Sequence, residues 1–212
     1  MTKDLVFYTN PMSRGRIARW MLEETGAPYR TELVAYGEQM KSPGYLAVNP
    51  MGKVPAIRHG DTVVTECAAI CAYLADAFPK AGLAPPSDDR GAYYRWLFFA
   101  AGPLEAAIMD RQLGVELPAE KQMMAGYGSY DMAVDTLEKA VDGWEYVTGD
   151  RFTAADVYVG SHVMWGTQFG TLPKRPAFEA YAARLAGRPA YQRASELDDE
   201  AGKAMPHPSA AG

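Results

Sequence analysis

The stretch "NPMGKVPAI", residues 49–57, sets a proline inside what reads as a strand. Val54, Ala56 and Ile57 favour an extended backbone, yet Pro55 has no N–H to give a sheet ladder. Asn49-Pro50-Met51-Gly52 before it reads as a turn. Outward from this point the first eighty residues resolve into short elements. "DLVFYT" (4–9) is a strand, "SRGRIARWMLEETG" (13–26) a helix with apolar residues at helical spacing, and "YRTELVA" (29–35) a second strand. Strand, helix and strand in succession form a βαβ unit, which makes the two strands parallel. One helical turn is expected at "SPGYLA". "VPAIR" and "VVT" flank "HGD", a hairpin signal, and "ECAAICAYLADAF" (66–78) is a helix stopped by Pro79. The order is βαβ followed by ββα.

Composition shifts at "PKAGLAPPSDD" (79–89), which reads as a linker centred on 81–88. Strand signals then almost vanish. Helices are expected over 89–113, with a kink at Gly102-Pro103, over 118–147, 153–169 and 176–187, and a short one over 189–197. The tail "DDEAGKAMPHPSAAG" has the composition of a disordered segment. The expected architecture is an α/β domain (1–80) followed by an all-α domain (89–212).

The bulk properties exclude several functions. The 212 residues are 48% hydrophobic, enough for a sizeable core, and carry a formal net charge of −5 with no long run of either sign. That gives no electrostatic reason to expect nucleic acid or an anionic membrane as partner. Two cysteines cannot build a disulfide framework, which points to a reducing compartment. The start lacks a signal peptide's apolar core, and no apolar run approaches the roughly 20 residues that span a bilayer. A cytoplasmic location is the resulting expectation.

A βαβ-ββα domain with a proline opening its third strand resembles the thioredoxin-like fold, in which that X–Pro bond is cis. With "TECAAICAYLAD", an all-α second half and "FTAADVYVG", residues 3 to about 197 resemble the cytosolic glutathione S-transferase family, in its bacterial, serine-type form. Thr153 and Asp156 form the S/T-x-x-D capping box that the family shows in its second domain.

The resemblance implies a site for glutathione as cosubstrate, without a metal. Val54, ahead of Pro55, would pair its exposed backbone with the tripeptide as an added strand. The helix starting at Glu66-Cys67 would bind the γ-glutamyl carboxylate at its N-terminus, and Glu66 would take the ammonium. Lys41 stands where relatives hold the glycine carboxylate, and Lys53 is a second contact; the plainer role for both lysines is solvated surface. Cys67 replaces the family's usual serine, and a thiol is a weaker donor than a hydroxyl. Cys71 reads as a small apolar filler.

The glutathione thiol must ionise. At a pKa of about 8.5 only a few per cent is thiolate at pH 7, and lowering the pKa by two units takes about 2.7 kcal/mol. One hydrogen bond to a charged group supplies roughly 1.5–3 kcal/mol. Three donors lie in "YTNPMSRG": Ser13 starts the first helix, Tyr8 ends the first strand, and Arg14 could act by charge. The plainer role of Ser13 is an N-cap and that of Tyr8 is packing. No cysteine stands here, which argues against a glutaredoxin-like mechanism. For the second substrate the sequence offers Tyr93, Tyr94, Phe98, Met109 and Trp165 as an apolar pocket between the domains, though aromatic-rich helices are mostly core. His162 reads as an ordinary helix residue. The expected activity is conjugation of glutathione to small apolar electrophiles, a detoxifying reaction, by a homodimer. The alternatives are glutathione-dependent peroxidase, dehalogenase, lyase or isomerase chemistry, or a binding protein without turnover.

Overall fold

The structure, a computed structural model, describes residues 3–205. The chain divides into two compact units. The first holds residues up to Ala81 together with those from Arg188 onward; the second holds Gly82–Gly187.

In the first unit, β1 (Leu5–Thr9), α1 (Gly15–Thr25), β2 (Arg30–Leu33), the single turn α2 (Pro43–Leu46), β3 (Ala56–His59), β4 (Thr62–Thr65) and α3 (Cys67–Ala77) follow in the expected order. The sheet runs β2-β1-β3-β4. β1 and β2 are parallel, while β3 is antiparallel to both β1 and β4. Alternation along β1 sends Phe7 and Thr9 to one face and Tyr8 to the other, where it packs with Val34, Met40, Tyr45, Val48 and Val54. The Val54–Pro55 peptide is cis, as the resemblance implies. The ladder of β3 begins one residue after Pro55, so the proline precedes the strand rather than interrupting it.

α9 (Pro189–Lys203) also belongs to this unit and packs on α1. This corrects two sequence expectations: the last helix was assigned to the all-α domain, and its acidic end to a disordered tail. The acidic residues are ion-paired instead. Asp198 is fully buried and meets Arg19 Nε at 2.7 Å. Asp199 meets Arg16 at 2.6 Å. From α9 and the residue before it, Arg193 and Arg188 reach back to Glu23 and Glu24 of α1. Trp20 of α1 meets the Tyr191 ring edge-on at 5.0 Å. The part of that tail beyond residue 205 lies outside the described residues.

The second unit is helical: α4 (Gly91–Phe99), α5 (Glu105–Gln112), α6 (Tyr130–Val141), α7 (Ala154–Phe169) and α8 (Pro176–Ala186). Between α4 and α5 a π-helical turn, Ala100–Leu104, absorbs Pro103, which lacks the N–H a regular helix needs. The helix expected over 118–147 is much shorter. Pro118 is extended, Gly128 takes φ +67°, and Ser129 starts α6 by accepting the Met132 N–H at 3.2 Å. α7 begins with the capping box read from the sequence. Ala155 N–H meets Thr153 Oγ1 at 3.3 Å, and Thr153 N–H meets Asp156 Oδ2 at 2.9 Å. Asp156, fully buried, also accepts from Val147 N–H at 2.7 Å and from the Tyr181 hydroxyl at 2.8 Å. Burial pushes its carboxyl above the ordinary value while these hydrogen bonds pull it down.

Candidate functional site

Strand register gathers three segments at one end of the sheet. Tyr8 pairs with Ala56, and Ala56 with Thr65. The end of β1 with its following loop, the start of β3 with Val54–Pro55, and the end of β4 with Glu66–Cys67 are therefore neighbours. A direct contact closes the group: Cys67 Sγ lies 3.6 Å from the Arg14 carbonyl oxygen.

Each segment is held by its own residues. In the loop after β1, Asn10 is fully buried; its Nδ2 donates to Val34 C=O at 3.0 Å and its Oδ1 accepts the Met12 N–H at 3.0 Å. Ser13 Oγ donates to Asn10 C=O at 2.6 Å and accepts the Gly15 N–H at 2.9 Å. Arg16 steadies the same loop through Pro11 C=O at 2.7 Å. Before β3, Asn49 repeats the arrangement: Oδ1 accepts the Met51 N–H at 3.0 Å and Nδ2 donates to Lys53 C=O at 2.8 Å. The Tyr45 hydroxyl reaches the same carbonyl at 2.6 Å. The pKa of Tyr45 is raised to about 12, by burial first and by Tyr8 second. The peptide ahead of Val54 is thus fixed from two sides, while the N–H and C=O of Val54 itself make no hydrogen bond among the described residues.

Glu66 is the only residue other than glycine with positive φ among those described, at +65°. It is exposed, and no side chain caps α3. The first turn of α3 therefore presents main-chain N–H groups beside Val54–Pro55. Cys67 directs its thiol at Arg14 C=O, so its contribution to a bound carboxylate is its backbone. Cys71, fully buried, has its thiol pKa pushed well up by burial and packs as a filler.

The remaining expected residues divide. Lys53 is exposed next to Val54. Lys41 Nζ clasps the turn before β3, donating to Met51 C=O at 3.0 Å and Gly52 C=O at 3.1 Å. Arg14 is exposed at the start of α1. Tyr8 lies on the sheet face opposite Thr9, its ring 6.0 Å from that of Tyr45; its hydroxyl faces Arg58, whose pKa it raises. Of the residues proposed for the second substrate, Tyr93 is buried on α4, 1% exposed. Tyr94, Phe98 and Met109 are exposed, and Trp165 is half-buried. His162 meets the Tyr158 ring edge-on at 4.8 Å. Sequence reading missed Asn10 and Asn49. The signal was present, because Asn-Pro-Met occurs at 10–12 and again at 49–51.

Comparison with known proteins agrees with this geometry. Residues 12–77 match the family model of the glutathione S-transferase N-terminal domain. The chain is 30% identical over 154 residues to glutathione S-transferase GstA of Escherichia coli O157:H7, covering 71% of this chain and 76% of that one. A glutathione transferase structure from Methylococcus capsulatus superposes with a TM-score of 0.74 at 29% identity, over 92% of this chain and 99% of the other. The theta class enzyme of Xanthomonas axonopodis pv. citri, solved with glutathione bound, gives 0.70 at 27% identity, over 91% and 97%. By this likeness in sequence and in fold, the chain belongs to the glutathione S-transferase family.

Proposed function

We propose that this glutathione transferase joins the thiolate of glutathione to small apolar electrophiles, with Ser13 as the hydroxyl that stabilises the thiolate. The observation that carries the reading is the unpaired main chain of Val54 beside the uncapped start of α3. A tripeptide offers what these groups lack: an extended backbone for Val54, a carboxylate for the α3 N–H groups and an ammonium for Glu66. Lys53 and Lys41 supply positive charge near the glycine carboxylate; Lys41 would have to leave the carbonyls it now holds. Ser13 suits activation better than Tyr8, whose side chain leaves the strand on the face opposite Thr9 and packs with Val34, Met40 and Tyr45. An oxygen accepts and donates at once, so Ser13 can keep the Gly15 N–H while its proton turns from Asn10 C=O to sulfur. That bond and the start of α1 together supply the energy a two-unit pKa drop requires.

The second substrate would meet the exposed apolar residues Tyr94, Phe98 and Met109. A homodimer, a cytoplasmic location and a detoxifying role complete the reading; among the described residues no helix is long and apolar enough to cross a membrane. The test is the absorbance of bound glutathione thiolate against pH, together with kcat for a chlorodinitrobenzene-type electrophile. Ser13→Ala should lower kcat about 10- to 100-fold and raise the thiol pKa, with little change in glutathione affinity. Tyr8→Phe should leave that pKa in place. The reverse pattern would make the tyrosine the donor and Ser13 only a cap. Glutathione binding without turnover, or turnover of a peroxide alone, would replace conjugation by the corresponding alternative.

A further inference from the structure

Thr9 closes β1 just before the site loop and is fully buried. Its hydroxyl oxygen has no hydrogen-bond partner among the described residues. Buried polar groups are nearly always satisfied, so an exception so close to the reacting thiol calls for a reason. The position of the hydroxyl supplies one. A Cβ placed on Gly15 would lie 1.9 Å from Thr9 Oγ1 and 3.0 Å from Ser13 Oγ. The two hydroxyls therefore lie against the same side of the glycine α-carbon, and a side chain at position 15 would collide with Thr9. Ser13 Oγ directs its proton at Asn10 C=O and takes one donor, the Gly15 N–H. A second lone pair is left for another donor.

We propose that Thr9 is a positioning residue for thiol activation. At rest the two hydroxyls are not hydrogen-bonded; when the Ser13 side chain swings from Asn10 C=O towards the glutathione sulfur, its Oγ comes within reach of the Thr9 hydroxyl, which then donates to it. The result is a chain from Thr9 O–H to Ser13 Oγ and from Ser13 O–H to the thiolate. No covalent bond changes and no proton leaves either hydroxyl. Each hydrogen bond in such a chain polarises the next, so Ser13 becomes a stronger donor when the negative charge is there to receive it. The resting arrangement leaves Thr9 unpaired, and thiolate formation gives it a partner. The inference rests on the reading of Ser13 as the activator.

The test compares Thr9→Val, which keeps the shape and removes the hydroxyl, with Thr9→Ser, which keeps the hydroxyl. Thr9→Val should raise the pKa of bound glutathione by on the order of half a unit and lower kcat about two- to tenfold, with the KM for glutathione unchanged. Its melting temperature should hold or rise by about 2–4 °C, because a buried unpaired hydroxyl is gone. Thr9→Ser should retain most of the wild-type pKa and kcat. Opposite signs for stability and activity separate this role from packing. A fall in melting temperature with the thiol pKa unmoved would overturn it. So would an unmoved pKa in Thr9→Val where Ser13→Ala shifts it, and then the reading of Ser13 would stand alone. An unmoved pKa in Ser13→Ala would overturn both.

Discussion

α3 in the first unit and α7 in the second face the same backbone problem and solve it in opposite ways. Each begins with N–H groups that its own turns cannot satisfy. At α7 the first N–H groups are all taken, Ala154 by Leu83 C=O, Ala155 by Thr153 Oγ1 and the next two by Thr153 C=O, and the buried Asp156 carboxylate binds the Thr153 N–H in return. At α3 no side chain caps the end, and the residue before it stands exposed at φ +65°. The closed start contributes stability, and the open one keeps donors for a ligand at some cost to the fold.

Three substitutions bear on that contrast. Asp156→Ala should have the largest effect, leaving the Val147 N–H and the Tyr181 hydroxyl buried without an acceptor. A loss of about 3–5 kcal/mol is expected in chemical denaturation. A change below 1 kcal/mol would show that the closed start is not the stabilising one. Glu66→Gly should act with mixed sign. Relief of the left-handed backbone would raise stability by about 1 kcal/mol, while loss of the carboxylate weakens glutathione binding about tenfold. Calorimetry showing unchanged affinity would remove Glu66 from the ammonium site. Thr153→Ala should cost least, about 0.5–2 kcal/mol, through loss of one cap. An unmoved denaturation midpoint would assign the closure to Asp156 alone.

The sequence disclosed most of the first unit because its signals are local. Apolar alternation marks β1, "HGD" marks the hairpin, and Pro55 marks where β3 cannot yet have begun. The boundary of α6 was hidden by Pro118, a credible helix start, although Gly126 and Gly128 carry the contrary information. The full length of α9 and the unit it joins were hidden for a different reason. Its acidic residues look like a solvated tail until they meet Arg16 and Arg19 of α1, a pairing no local window contains. At the site, the identities of Val54, Glu66 and Ser13 came through likeness to a family. Their convergence comes from register. The position of Tyr8 across the sheet from Thr9 was readable from a period of two, and so was the repeated Asn-Pro-Met that fixes both flanking turns.

The placement of α9 has a consequence for the order of synthesis. The unit translated first is completed last. Between the end of its α/β part at Ala81 and the arrival of α9, the ribosome must make the whole of Gly82–Gly187. At ~5–20 residues per second that interval lasts roughly 5–20 s. Throughout it α1 lacks the helix it packs on, with Trp20 missing its ring partner and Arg19 its carboxylate. The nascent chain thus carries its glutathione-binding half unfinished until α9 has been made, and a chain released before that would keep the residues of the site but not the helix that braces them.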